Sequence, residues 1–490
     1  GTPVLISDKV NTWREVESSR GGFIAPDTEK GVVELIRKLY SLSAEERVLL
    51  ASRARQGFQD NFDLSHAAED LEWALSDNSV AARRPVRDGL RILHVIRSTE
   101  AATGGPIEWL YRLSEELERT GHSIEIVSLE DREELMTRTL PFRVTALGKG
   151  FGKYSFNWRL TPWMRRNAYR FDIVIMHGLW NYSSFGVWRG LRRSQVPYLI
   201  FPHGMMDPWF RDHYPMKHIK KRVYWRLAAG RVLRDAKEAL FTCDEERERA
   251  RGVFGHFAYQ EKVVRLGTID PQADRERQRS SFYFMFPHLR KRRFLLFLSR
   301  IHPKKGCDVL IEAFAACANR IPQDVDLLIV GPDKHSMVPK LQLIARKFGV
   351  SARVHWSGML SGDSKWGAFR CAEALAFPSH QENFGFVVAE SMACGTPVLI
   401  SDKVNIWREV QASGGGLIAP DRVEETKNLI LQYFAMTDES RSQMREAARA
   451  GFLRYFSIGN AASELLSTIE NALAVSESQH SNVKREHISV

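Results

Sequence analysis

From residue 90 onward the chain alternates short apolar runs with stretches long enough for helices, and it does so in two successive series. The first series is RILHVIR (91–97), SIEIVSL (123–129), DIVIMHG (172–178), VPYLIFPHG (196–204), EALFTCD (238–244) and KVVRLGT (262–268). The second is FLLFLSR (294–300), DLLIVG (326–331), RVHWSG (353–358), ALAFPS (374–379) and PVLIS (397–401). Strands that are apolar along their whole length, rather than at every second residue, are covered on both faces, and intervening helices supply that cover. The pattern predicts an α/β protein with two doubly wound, Rossmann-like domains facing each other across a cleft. Ligand is expected at the carboxyl ends of the strands. The domains are placed at residues 89–285 and 286–475, with a flexible tail at 476–490.

An internal repeat adds a further element. Residues 1–27 match 395–421 without a gap, and 22 of the 27 positions agree, the exceptions being Thr12/Ile406, Glu17/Gln411, Ser18/Ala412, Arg20/Gly414 and Phe23/Leu417. Weaker matches at the same offset include Leu35-Ile36 with Leu429-Ile430 and Gly57-Phe58 with Gly451-Phe452. An offset of 394 residues is far longer than a solenoid period and is the size of a whole two-domain unit. Residues 1–75 therefore read as a partial repeat of the second domain, the tail of a preceding copy or a fusion remnant. Residues 76–88, SDNSVAARRPVRD, read as a polar linker. This first segment is expected to hold no complete active site.

Composition narrows the class. With 44% hydrophobic and 26% charged residues the chain is ordinary globular protein, and at 490 residues it exceeds a single core. Phe282 to Phe297 is the nearest approach to a long apolar run, and Arg290, Lys291, Arg292 and Arg293 interrupt it. No membrane-spanning helix is expected. The chain opens Gly-Thr-Pro with no leader visible, and its five cysteines form no CxxC pair. Small buried thiols and a cytoplasmic location are expected. The net charge of +11 fits an anionic small molecule or an anionic lipid surface better than nucleic acid, since no nucleic-acid module accompanies it.

The chemistry concentrates in the second series. In HQENFGFVVAESMACGTPVLIS, Glu382 lies in the loop after a strand, and Glu390 is expected two turns into the following helix. Asn383, Phe384 and Gly385 open that helix, whose free N–H groups suit a phosphate. A loop carboxylate can accept hydrogen bonds from sugar hydroxyls, and one on the helix can hold a ribose. Read alone, either Glu is as easily a helix-dipole or solvated helical residue. In SRIHPKKGCDVLIEAF, Arg300 ends a strand and Lys305 stands in the turn before a helix. Two fixed cations there suit a diphosphate leaving group, although solvated turn charges are the commoner outcome.

The combination Arg–x4–Lys-Gly, then Glu–x7–Glu followed by SMACGTPV, resembles the family-4 retaining glycosyltransferases ("glycosyl transferases group 1") of the GT-B fold, over about 385 residues. The resemblance implies that Arg300 and Lys305 contact a donor diphosphate, Glu382 the transferred sugar and Glu390 the ribose. It places backbone near Phe384 and Gly385 against phosphate or sugar, and backbone of WSGML, around Met359, against the nucleobase. The co-substrate implied is a nucleotide-sugar, UDP- or GDP-linked, with no cofactor and no metal. Asp324-Val325-Asp326 has the spelling of a metal site but opens a buried strand, so its match is taken as coincidence.

In the first domain, Thr103-Gly104-Gly105-Pro106 joins strand to helix, and Gly104 and Gly105 permit close backbone approach. This resembles the family's Gly-rich loop. His177 and His203 both end strands; HGMMDPW at 203–209 resembles enzymes of bacterial surface polysaccharides, making His203 the better candidate for contact with the reacting sugar. Where many relatives read Pro-Asn-Gly-Val-Asp, this chain has Arg265-Leu266-Gly267-Thr268-Ile269-Asp270, which puts borrowed acceptor contacts in doubt. Residues 211–237 are rich in Lys and Arg with Tyr224, Trp225, Leu227 and Val232 interleaved; an anionic membrane surface and a solvated basic face are both open readings. The expected activity is hexosyl transfer to a hydroxyl of a glycan or lipid-linked acceptor in surface polysaccharide assembly. Alternatives are a sugar-nucleotide epimerase, a phosphorylase or a catalytically silent scaffold.

Overall fold

The computed structural model describes residues 1–10, 13–61, 89–100, 105–131, 135, 142–209, 211, 215–271, 274–333 and 335–488. It divides into two compact units, residues 1–89 with 139–145, and residues 90–138 with 146–490.

In the first unit, β1 (Val4–Ser7) and β2 (Gly22–Ala25) form a two-stranded parallel sheet, joined by helix Trp13–Ser19 and followed by helices Glu29–Tyr40 and Ala44–Asn61. Thr28 caps the second of these helices by accepting the Gly31 N–H at 3.1 Å.

The second unit holds two sheets in series. The first sheet contains β3 (Arg91–Ile96), β4 (Ser123–Ser128), β6 (Ile173–His177), β7 (Tyr198–Phe201), β8 (Glu238–Phe241) and β9 (Glu261–Val263), ordered β4-β3-β6-β7-β8-β9, while β5 (Arg143–Ala146) falls in the first unit but for its last residue. From β4 to β9 every pairing is parallel. The second sheet contains β10 (Arg293–Leu298), β11 (Val325–Val330), β12 (Val354–Gly358), β13 (Ala374–Phe377), β14 (Val398–Ser401) and β15 (Gly416–Ala419), ordered β12-β11-β10-β13-β14-β15 and parallel throughout. Both orders reverse next to the first strand of the series. This is the doubly wound topology whose switch point opens a crevice at the carboxyl ends of the strands. The apolar runs are buried as expected: Phe294, Leu295, Leu296 and Phe297 have no exposed surface.

Two segments bind the lobes of this unit. Helix Arg275–Met285 packs on helix Gly362–Cys371 of the second sheet, so closely that a Cβ on Gly367 would stand 2.0 Å from the Gln278 carbonyl oxygen. The last helix, Ile458–Ile488, runs back to helix Gly105–Arg119 of the first sheet. Its Glu464 accepts hydrogen bonds from the Arg265 backbone N–H at 2.9 Å and from the Arg265 guanidinium at 3.0 Å. Arg265 and Asp270, in the segment that departs from the relatives' turn, thus serve the joint between lobes, since Asp270 pairs with Arg449. Among the described residues no helix is long and apolar enough to cross a membrane.

Candidate nucleotide-sugar site

The loop after β13 and the turn after β10 lie side by side because β10 and β13 are hydrogen-bonded neighbours at the switch point. Their adjacency joins residues far apart in the chain. Lys305, in the single 3₁₀ turn Pro303–Lys305, makes an ion pair with Glu382. His302 caps that turn by accepting the Lys304 N–H at 3.1 Å, and Gly306 follows in the left-handed region (φ 66°), where a Cβ would meet the Pro378 carbonyl oxygen at 2.0 Å. The Glu382 backbone is pinned in turn, its N–H to the Lys403 carbonyl (3.0 Å) and its carbonyl to the Asn405 N–H (3.1 Å). Arg300 is exposed just after β10, and among the described residues its guanidinium has no hydrogen-bond or ion-pair partner. Of the two expected cations, one is neutralised in place and the other is available.

Helix Phe386–Ala393 begins one residue after Gly385, whose φ of 81° only glycine adopts without strain. Glu390 is therefore about one turn into the helix, not two. It is buried, with Lys365 Nζ 2.6 Å from its Oε1. Burial raises the Glu390 pKa, and Lys365 opposes that rise. Phe384 turns into the core against Phe386 and Phe456, leaving only its backbone for a ligand. Met359 is exposed just beyond β12. Gly104 and Thr103 lie outside the described residues; Gly105 is the first residue of helix Gly105–Arg119.

The first lobe meets this loop directly. A Cβ on Gly204 would stand 2.7 Å from Asn383 Oδ1, and Asn383 Nδ2 donates to Thr242 Oγ1 at 3.2 Å. His203 therefore sits beside the Glu382–Asn383 loop, with its own backbone in the left-handed region (φ 51°). This strained turn is held by Glu246, a buried carboxylate that accepts the Gly204 N–H at 2.5 Å and the Thr242 N–H and hydroxyl at 2.7 and 2.6 Å. Burial raises the Glu246 pKa against those hydrogen bonds. His177 does not reach the site by itself. It lies between His203 and the buried His94 of β3, hydrogen-bonded to each at 2.9 Å.

Several residues of the site escaped the sequence reading. Lys304 lies 3.6 Å over the Trp209 ring, so the last residue of HGMMDPW contacts the cation turn of the other lobe. Lys221, one of many basic residues in 211–237, turns inward over Trp180 at 4.8 Å. Its pKa is pushed down to about 8, first by burial and then by Lys217 and Lys304. A cluster of Lys221, Lys304 and Lys305 with Arg300 gathers positive charge at the strand ends, as an anion site requires. Glu130 is another: it accepts the Thr99 N–H and hydroxyl, both at 2.7 Å, and fixes the chain leaving β3. Only the spacing of charges was visible beforehand; which cation points inward was not.

Asp326 is occupied structurally, buried and bound by Arg292 and by His355 at 2.9 Å, while Asp324 pairs with Arg293 at 2.8 Å. Among the described residues no group of His, Cys, Asp and Glu is arranged to hold a metal.

Comparison with known proteins finds a family match on each lobe. Residues 283–451 match the model of glycosyl transferases group 1, and residues 104–267 match the glycosyl transferase 4-like domain. A D-inositol 3-phosphate glycosyltransferase of Actinosynnema mirum is 31% identical over 245 residues, covering 48% of this chain and 54% of the relative. A counterpart from Jonesia denitrificans is 33% identical over 183 residues, 36% of this chain and 42% of the relative. The chain thus spans about half the length of these curated relatives. The mannosylfructose-phosphate synthase of Agrobacterium fabrum is 24% identical over 65% of this chain and 76% of its own length. Among solved structures, Anabaena HepE in complex with UDP and glucose superposes with a TM-score of 0.61 at 18% identity, covering 78% of this chain and all of that one. Sucrose-phosphate synthase from Thermosynechococcus elongatus gives 0.63 at 18% identity, over 79% of this chain and all of the other. With one domain model on each lobe and the GT-B fold around them, residues 283–451 are a glycosyl transferases group 1 domain and residues 104–267 a glycosyl transferase 4-like domain.

Proposed function

We propose that this protein transfers a hexose from a UDP- or GDP-linked donor to a hydroxyl acceptor with retention of configuration, without a metal or other cofactor. The observation that carries the reading is the Lys305–Glu382 ion pair at the switch point, flanked by Arg300 and Lys304. The two charges satisfy each other. A bound donor would exchange them: the diphosphate takes Lys305 and Arg300, and a sugar hydroxyl donates to Glu382. Charge that grows on the departing diphosphate then meets preorganised cations. Same-face attack lets the leaving phosphate accept the acceptor proton, so no pair of catalytic carboxylates is needed. Glu390 would hold the ribose, with Lys365 opposing the rise that burial imposes on its carboxyl pKa. The test is a thermal-shift screen with UDP-, GDP- and ADP-sugars, followed by assignment of the product anomer. A bound donor raises the melting temperature by mass action. No shift with any donor, or an inverted anomer, would defeat the reading. An epimerase or silent scaffold would give no transfer product.

A second reading concerns where the acceptor lies. Helix Pro215–Tyr224 and the π turn Trp225–Ala229 bury His218, Trp225 and Ala228, yet expose Met216 (72%), Ile219 (55%), Val223 (57%) and Leu227 (62%) at helical spacing. Lys220, Arg222 and Arg226 flank this stripe and are exposed. An apolar stripe on the solvent face with cations beside it suits an anionic membrane surface, and hence a lipid-linked acceptor in surface glycan assembly at the cytoplasmic face. Sedimentation with anionic and neutral vesicles tests it; equal binding to both would sink it.

A further inference from the structure

The first lobe contains a chain of three imidazoles that the transfer chemistry above does not use. His94 Nδ1 is 2.9 Å from His177 Nε2, and His177 Nδ1 is 2.9 Å from His203 Nε2. The rings are stacked in series, with centroids 5.2 Å apart in both pairs, and Trp109 and Phe201 close their flanks. The two ends of the chain, His94 Nε2 and His203 Nδ1, are buried atoms with no hydrogen-bond partner among the described residues.

A neutral imidazole carries one N–H and one lone pair. If His94 donates to His177, then His177 must donate to His203, and all three rings carry the proton on Nδ1. If His203 donates instead, all three carry it on Nε2. No mixed arrangement of neutral rings keeps both hydrogen bonds. The two arrangements differ in where the spare N–H lies. In the Nε2 form it is on His94, a fully buried residue in the middle of β3, where a bare donor is costly. In the Nδ1 form it is on His203, where Nδ1 is buried too but belongs to a partly exposed residue at the strand end beside the Asn383 loop, so that a bound ligand's oxygen would be the acceptor it lacks. The rings stay neutral around pH 7, since burial drives the His94 pKa down to about 3 and that of His203 to about 4, and His177 is lowered further by its two neighbours.

We propose that His94 and His177 are positioning residues that lock His203 in its Nδ1–H tautomer, so that His203 offers a hydrogen-bond donor, and not an acceptor, to an oxygen of the bound sugar. This rests on the reading of His203 as a sugar contact given above. It adds two buried residues that never touch substrate yet decide what His203 presents to it.

The test is side-chain ¹⁵N NMR of histidine-labelled full-length protein at neutral pH, with activity assays of His94→Leu and His94→Asn. In the wild-type protein all three rings should show a protonated Nδ1 and a bare Nε2; Nε2–H on any of them would overturn the proposal. His94→Leu should let His177 and His203 shift to Nε2–H and lower turnover about tenfold, the worth of one hydrogen bond to the reacting ligand. His94→Asn places an amide N–H where Nδ1–H stood and should restore both. Unchanged tautomers in His94→Leu would overturn the lock; should that variant not fold, the wild-type spectrum decides alone. If His203→Ala transfers sugar at the wild-type rate while the wild-type rings are Nδ1–H, the sugar contact fails and the tautomer chain stands.

Discussion

Residues 1–61 and 395–455 are one sequence pattern in two settings, nearly identical over the first 27 positions and diverged beyond them, and the contrast between them separates local from tertiary causes. Every element recurs at one offset: β1 with β14, helix Trp13–Ser19 with Trp407–Ser413, β2 with β15, and helix Ala44–Asn61 with Asp438–Tyr455. Even the register is the same, Val4↔Gly22 through Ser7↔Ala25 against Val398↔Gly416 through Ser401↔Ala419. The close approaches that demand glycine also repeat, since a Cβ would reach Ser19 Cβ at 2.3 Å from Gly57 and Ser413 Cβ at 2.5 Å from Gly451. Burial does not repeat. Val4 is 39% exposed where Val398 is fully buried, and Phe58 is 56% exposed where Phe452 is fully buried. The reason is the neighbour: β14 is clamped between β13 and β15, whereas β1 pairs with β2 alone. Sixty residues of this pattern suffice to choose helices, strands and register. They do not supply the strand and helices that would cover them, and an exposed Phe forgoes about 1.5–3 kcal/mol of burial.

The contrast can be broken or sharpened by substitution. The largest effect is expected at Glu382, which stands just before the later copy and has no counterpart in residues 1–61. Glu382→Ala should cut transfer by about a thousandfold while the melting temperature stays within a few degrees. If turnover survives, the assignment of the site to the later copy falls. Next, Gly416→Val should unfold the edge of the second sheet and abolish donor binding, because a Cβ there stands 2.2 Å from the Val398 carbonyl oxygen. The matched Gly22→Val faces the same 2.0 Å clash with Val4 but should leave donor affinity unchanged, as measured by calorimetry.

A smaller effect comes from pH. With the Lys221 pKa pushed down to about 8, its positive charge fades as pH rises through that value. Donor affinity should fall severalfold between about pH 7 and 9 and then level off, a step that Lys221→Met removes. The sign for folding is the reverse. The unfolded chain holds the Lys221 proton up to its ordinary value of 10.5, so between about 8 and 10.5 this group makes stability rise with pH. The smallest effect is at the end of the first helix of each copy. Gly414 has φ 70°, and its counterpart Arg20 holds φ 52° despite its side chain. Arg20→Gly should stabilise the first unit by about 1 kcal/mol, and Gly414→Arg should destabilise the second by a similar amount, in denaturant titrations.

Much of this was readable in advance because it depends on short-range pattern. Continuous apolar runs mark strands of a parallel sheet, and eleven such runs located eleven of the thirteen described strands from β3 to β15; β5, only four residues long and partly exposed, had no such run. The last run of the first series, KVVRLGT, proved to be a three-residue strand, Glu261–Val263, because the rest of it turns to Ser457 and Glu464 at the joint between lobes. Glu382, Glu390, Arg300 and Lys305 were singled out by their spacing and the resemblance it carries, and the structure brings Lys305 to Glu382 at the switch point. The sequence by itself determined two doubly wound lobes, the repeated segment and the charges at the strand ends. Only the tertiary structure decided that Lys221 turns inward among its many basic neighbours, that Glu246 braces the His203 turn, and that His94, His177 and His203 form one hydrogen-bonded row. Those three histidines come from β3, from the end of β6 and from the turn just after β7, three strands laid side by side. Their contact depends on the order and register of strands, which no local stretch of sequence contains.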